Sequence, residues 1–302
     1  MKHKSRFNLP FMKWRRAGLI ASGLLTLVSV LAWIFLDLNY SVDFTGGSLW
    51  TLRFEQEAAE QDVRAAFAAG GMDDAVVQRV DSAQGAQGVE FVVRTRAVGE
   101  EGREAVQQAL REQVGDFTLV SLDDVSPVIG SVLRANALWA LAVAVAGMLI
   151  YITLRFEWRF AVTAIVGLIH DILIIIGLFA VTRLPVDATF VAAILTVFGY
   201  SVNDTIIVYD RIRENMAHYR RGQYVELVND SVNQTLTRTI NTSVTTLLVL
   251  AAVAILGGET TRPLAVAIMT GVVTGTYSTI FVCAALWLEW RLRAERRHQQ
   301  AA

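Results

Sequence analysis

Hydrophobic residues along this chain gather in six runs, each near the ~20 residues that a helical membrane span requires. They cover roughly 17–36, 135–154, 160–181, 187–209, 238–257 and 264–288. The long interval 37–134 has a different texture. Ser48–Phe54 alternates apolar and polar, as a half-buried strand does. Glu57–Ala69 places Val63, Ala66 and Phe67 at helical spacing and ends at Gly70-Gly71, a C-cap signal. Ala75–Val80 and Gly88–Arg96 read as two further strands, Arg103–Val114 as a helix with Val106, Leu110 and Val114 on one side, and Phe117–Val125 as a last strand. The order β-α-β-β-α-β is the ferredoxin-like arrangement. The pattern therefore predicts a six-span membrane helical bundle with a small α+β domain, 37–134, between spans one and two. It also predicts a loop at 210–237, in which Asp210–Asn215 and then Met216–Val228 form an amphipathic helix lying on the cytoplasmic membrane surface.

Composition agrees. The 302 residues are 54% hydrophobic and 18% charged, with a mean hydropathy of +0.43, too apolar for an ordinary soluble domain. The net charge of −1 offers nothing to nucleic acid. The single cysteine, Cys283, lies in an apolar run, reads as inert packing and forms no internal disulfide. The polar island 37–134 shows no metal-ligand cluster, phosphate-binding glycine loop or nucleophile-base pair, and neither metal nor cofactor is expected.

Charge placement sets the expected orientation. Lys2, Lys4, Arg6, Lys13, Arg15 and Arg16 precede the first run and hold the N-tail, 1–16, in the cytoplasm. That run is longer than a signal-peptide core and is read as an uncleaved span. Six spans return the tail 289–302 to the cytoplasm, and the α+β domain lies outside. The short outer loops carry one arginine each, Arg183 and Arg262.

Several polar residues fall within the runs. Asp204 sits in span four beside Ser201, Asn203 and Thr205, where a carboxylate costs ~3 kcal/mol on insertion scales. His170 and Asp171 sit in span three. Arg238, Asn241, Thr242, Thr245 and Thr246 form a polar stripe along span five. Gly271 and Gly275 in span six are a small-xxx-small pair, suited to close helix packing. A buried acid near a base suits proton handling. Burial favours the neutral carboxyl and a close arginine the ionised one, so a site that alternates between the two loads and releases a proton.

These segments carry a resemblance. Val42-Asp-Phe-Thr-Gly-Gly47 resembles the DFTGG signature of the SecD/SecF family. Phe198–Asn215, Ser231–Leu247, Gly271–Phe281 and Leu168–Asp171 are similar to its span-four, span-five, span-six and span-three motifs. Thr237 and Thr279 stand where the pattern has serine. The single six-span unit points to the SecF branch of this RND-superfamily group. The resemblance implies a subunit of the bacterial inner membrane that pairs with SecD and works with SecYEG, with YajC and YidC as further candidate partners. It implies use of the proton motive force to promote late translocation of unfolded preproteins, with protons as coupling ion. Asp204 and Arg238 are the implied proton-conduction residues. His170, Asp171, Asn203, Asn241 and Thr242 are candidates for the proton path or its support. Asp43, Phe44, Thr45, Gly46 and Gly47 are the implied coupling element. An RND-type proton-coupled permease for a small molecule or lipid is the alternative reading. An intramembrane hydrolase and a purely structural scaffold are more distant ones.

Overall fold

The computed structural model describes residues 8–80, 88–220, 222–258 and 261–301. Lys2, Lys4 and Arg6 lie outside the described residues. The chain divides into two compact units, Tyr40–Trp139 and the remainder.

The smaller unit begins with the two-residue strand β1 (Asn39–Tyr40) leading into the single-turn helix α2 (Val42–Thr45). Then come β2 (Gly47–Phe54), α3 (Glu60–Ala69), β3 (Val76–Val80), β4 (Val89–Thr95), α4 (Glu100–Gln113) and β5 (Phe117–Val125). The sheet is antiparallel in the order β3-β4-β2-β5. This is the expected ferredoxin-like topology. Alternation in β2 turns Trp50, Leu52 and Phe54 inward, where they meet Phe67 of α3 and Val106 and Leu110 of α4. The Trp50 and Phe67 rings make a T-shaped pair 5.5 Å apart. The expected glycine cap closes α3 as a Schellman motif. The Gly71 amide donates to Ala68 O at 2.9 Å and that of Met72 to Phe67 O at 2.9 Å, with Gly71 at φ +84°.

The larger unit is the helix bundle. It contains α1 (Arg15–Leu36), α6 (Trp158–Thr182), α7 (Ala188–Met216) and α8 (Tyr224–Leu256). The last apolar run is α9 (Arg262–Ser278), a π-helical turn (Thr279–Ala284) and α10 (Ala285–Ala301). The long helix α5 (Pro127–Arg155) joins the two units in sequence, and a two-residue strand β6 (Pro185–Val186) precedes α7. Among the described residues, six helical stretches are long and apolar enough to cross a membrane. Buried residues concentrate on α6, α7 and α9, whereas α1, α5 and α8 leave most of their apolar surface open. Such surface needs lipid or protein against it.

Two expectations need correction. The first concerns the loop 210–237. Its stretch Met216–Val228 is not one helix on a membrane surface. Helix α7 runs to Met216, a turn follows, and α8 begins at Tyr224. The two helices brace each other there: Asn215 Nδ2 donates to Ser231 Oγ at 2.9 Å and to Gln234 Oε1 at 3.1 Å. Leu227, Val228 and Val232 are buried. Hydropathy ends a span where polar residues begin, but helical hydrogen bonding continues while a packed face remains. The second concerns the other boundaries. Here too the helices outrun the apolar runs: α5 starts at Pro127, not 135, and the last run ends beyond 288. Residues 8–14, placed in the N-tail, are strapped onto α8. Asn233 accepts from the Leu9 amide and donates to its carbonyl, both at 2.8 Å, and Met12 is fully buried.

Arg183 and Arg262 cap helices. Arg183 Nη1 donates to Leu36 O and Asp37 O, at 2.5 and 2.9 Å, at the end of α1. Arg262 Nε donates to Ala254 O near the end of α8 at 3.3 Å. Each satisfies carbonyls that the helix itself leaves open.

Candidate functional site

Helix α7 starts where Asp187 caps it, accepting from the Phe190 amide at 2.9 Å. From there Phe190, Ala193, Val197, Ser201, Asp204, Val208 and Ile212 recur at helical spacing as a buried stripe. Asp204 is therefore carried into the bundle by the same periodicity that packs α7. It is 2% exposed, and its Oδ2 has no hydrogen-bond partner among the described residues. Thr276 of α9 lies in its immediate surroundings, and the charge of Arg238 reaches it. Thr276 Oγ1 is 2.8 Å from Ser243 Oγ of α8, which also accepts from Tyr200 OH at 3.1 Å. The acid thus borders a hydroxyl cluster linking α7, α8 and α9.

Arg238 is exposed on α8, as are Asn241, Thr242 and Thr245. The threonines of this stripe satisfy themselves: Thr242 Oγ1 donates to Arg238 O at 3.1 Å and Thr246 Oγ1 to Thr242 O at 2.9 Å. No ion pair of Arg238 is found among the described residues. A guanidinium and a threonine row on an otherwise apolar helix make a poor face for lipid.

Asp171 is the better-satisfied acid. It is fully buried. Its Oδ1 lies 3.0 Å from His170 Nδ1, and its Oδ2 accepts from Ser201 Oγ at 2.7 Å and Ser278 Oγ at 2.9 Å. Ser201 is one turn from Asp204, and the next residue, Thr205, meets Thr279 of the π-helical turn at 3.0 Å. The two acids therefore occupy neighbouring turns of one helix crossing. Sequence reading had each polar residue but not this division: one acid closed into hydrogen bonds, the other with an open oxygen. It also passed over Tyr200, whose only signal was a hydroxyl at helical spacing from residues already singled out. Asn203, Asn241 and Thr242 are exposed and do not join either cluster.

Gly271 and Gly275 do pack closely. A Cβ at Gly271 would lie 2.2 Å from Val197 Cγ2, and one at Gly275 3.1 Å from Ser201 Cβ. Gly167 and Gly177 serve the same purpose against Cys283 and Ser29. Cys283 is buried, as expected of packing. In the smaller unit, Asp43, Phe44 and Thr45 form α2. Gly46 and Gly47 follow with φ of +74° and +123°. A side chain at Gly47 would strike Thr95 O at 2.3 Å, so both the backbone angle and the space require glycine.

With this geometry in hand, comparison with known proteins is direct. Residues 105–293 match the family described as protein export membrane protein SecD/SecF, C-terminal, and residues 38–58 match the SecD/SecF GG motif. The chain belongs to the SecD/SecF family. A SecF protein translocase subunit from Haemophilus influenzae is 38% identical over 287 residues, covering 94% of this chain and 87% of the relative. One from Sebaldella termitidis is 36% identical over 288 residues, covering 92% and 91%. The crystal structure of SecDF, a translocon-associated membrane protein of Thermus thermophilus, superposes with a TM-score of 0.86 at 37% identity. That match covers 94% of this chain and 39% of the SecDF chain. The chain is a SecF-type translocase subunit, a multi-pass component of protein transport rather than an enzyme, and the permease and hydrolase readings fall away.

Proposed function

We propose that this chain pairs with a SecD-type partner in the bacterial inner membrane and couples proton flow to late protein export through the SecYEG channel. Asp204 loads and releases the proton, and Arg238 sets its charge state. The single observation that carries this is the asymmetry of the site. Asp204 is buried with one carboxylate oxygen unpartnered, while Arg238 faces out of the chain's own bundle on a polar stripe. An arginine facing outward on a spanning helix calls for an acidic or polar group from a neighbouring span. The SecDF chain, in which a unit like this one occupies 39% of the length, is consistent with a partner unit beside it.

The chemistry follows from two states. With Arg238 near, the carboxylate of Asp204 is held ionised; with Arg238 drawn to the partner, burial favours the neutral acid. Alternating water access between those states moves one proton per cycle, worth ~2.3 kcal/mol per 100 mV. The paired glycines Gly46 and Gly47 turn the chain from α2 into β2 within the α+β domain, which in this reading lies on the outer side. Both termini are placed in the cytoplasm. His170 and Asp171 hold the helix crossing; the hydrogen bonds of Asp171 favour a supporting role over proton carriage.

The test is export of a preprotein in cells whose only copy of this subunit carries Asp204→Asn, with membrane level and partner association checked in parallel. Stalled export by a normally assembled variant is the expected result. Export at the wild-type rate removes Asp204 from energy coupling.

A further inference from the structure

A cleft of about 680 Å³ lies between α1, α6 and α10, at the end of the bundle where α1 and α6 begin. Its walls are of two kinds. Leu19, Val162 and Val166 line an apolar floor, and Arg159, Arg293 and Arg297 stand around it. The acids nearby are already engaged. Glu289, which lines the cleft, binds Arg15 at 2.8 Å, and Glu157 binds Arg291 at 2.6 Å. The three arginines of the cleft have no carboxylate counterpart among the described residues, and Arg159 Nε is buried without a hydrogen-bond partner.

The level of the cleft in the membrane is marked by tryptophan. Trp290 lines it and packs edge-on against Trp158, ring centres 4.9 Å apart. Trp158 and Trp14, at the starts of α6 and α1, are 53% and 55% exposed. Exposed tryptophans at the ends of spanning helices sit at headgroup depth. An apolar floor running into the bilayer with a cationic rim at headgroup depth matches an acyl chain joined to a phosphate.

We propose that this cleft is a binding site for an anionic glycerophospholipid, with its phosphate among Arg159, Arg293 and Arg297 and one acyl chain along Val162 and Val166. Basic pockets between spanning helices are suited to such headgroups. A lipid seated there would tie α1, α6 and α10 together at the end of the bundle where the N-terminal strap also docks. A zwitterionic lipid brings no net charge to offset the three arginines and is bound less well.

The test is native mass spectrometry of the full chain in detergent with equal amounts of phosphatidylglycerol and phosphatidylcholine. The wild type is expected to retain phosphatidylglycerol preferentially. Arg159→Gln with Arg293→Gln is expected to lower that preference by about fivefold or more, since each arginine near the surface contributes on that order. Arg64→Gln with Arg111→Gln, which removes the same charge from the α+β unit, is expected to leave it intact. A third variant, Val162→Trp with Val166→Trp, keeps the arginines but fills the floor, and should also lose the lipid. It decides the matter if the double arginine variant does not fold. Unchanged retention in both cleft variants overturns the proposal. So does equal loss in the α+β control, or displacement of the lipid by millimolar inorganic phosphate, which would mean a free-anion site. A photoreactive residue at Val162 that labels a polypeptide instead of phospholipid in native membranes overturns it as well.

Discussion

Replacing Gly271 with alanine isolates the energetics of the crossing that holds the candidate site. In an open helical position the exchange stabilises by up to ~1 kcal/mol, because alanine loses less backbone entropy than glycine. Gly147 in α5 is such a position, with nothing within 4 Å of an added Cβ. At Gly271 the same methyl would stand 2.2, 2.5 and 2.9 Å from Val197 Cγ2, Cγ1 and Cβ. All three atoms belong to a β-branched side chain on a buried helix, which cannot swing away, so α7 and α9 must separate by more than an ångström. Overpacking of this kind costs ~1–3 kcal/mol. Gly271→Ala should therefore be less stable than Gly147→Ala by roughly 1–3 kcal/mol, the clash alone, because the propensity gain is common to both positions. Reversible unfolding in mixed micelles of increasing denaturing detergent measures the difference. Val197→Ala should restore part of the loss in the double variant, because it removes the two nearest clashing atoms, Cγ2 and Cγ1, and leaves only Cβ. The reasoning fails if Gly271→Ala is as stable as Gly147→Ala, or if Val197→Ala gives no rescue. The same displacement would carry Ser201 and Asp204, so export should fall with stability and return with rescue.

Two other perturbations test the polar network and the turn between α7 and α8. Asp171→Ala strips the acceptor from Ser201, Ser278 and His170 at once; it should cost about 3 kcal/mol in the same unfolding assay, and Asp171→Asn should cost less because it keeps the volume and one acceptor. Outside the spans, burial and a hydrogen bond to the Asp230 carboxylate push the Tyr219 phenol up to about 12. The proton is held more tightly in the folded protein, so this contact contributes fully below pH ~10 and is lost as pH rises from ~10 toward ~12. The ultraviolet titration of wild type minus Tyr219→Phe should show one phenol titrating in that upper range, and a difference centred near 10 would show that the Asp230 contact is absent.

The six runs and the alternation in 37–134 were enough to specify six spans and a ferredoxin-like domain. Both patterns are set locally, by burial against lipid or against one sheet face, and the element order then leaves few topologies open. The glycine cap at Gly70-Gly71, the small-residue pair Gly271 and Gly275, and the unusual cost of Asp204 were legible for the same reason: each depends on one residue's own chemistry. The length of α7 and α8 was not. Their polar ends remain helical only because Asn215, Ser231 and Gln234 meet across the pair, a contact no window of sequence contains. Nor could sequence tell Asp171 from Asp204, two acids in apolar runs with serines nearby. Only the crossing of α6, α7 and α9 brings Ser201 and Ser278 onto Asp171, leaving an oxygen of Asp204 open. Likewise the turn of α8 places Arg238 outward. Hydropathy is a sum over neighbours in the chain, whereas the state of a buried charge depends on groups that distant segments bring to it. The sequence alone determined which residues are costly; the tertiary structure decided which of those costs are met within the chain and which are not.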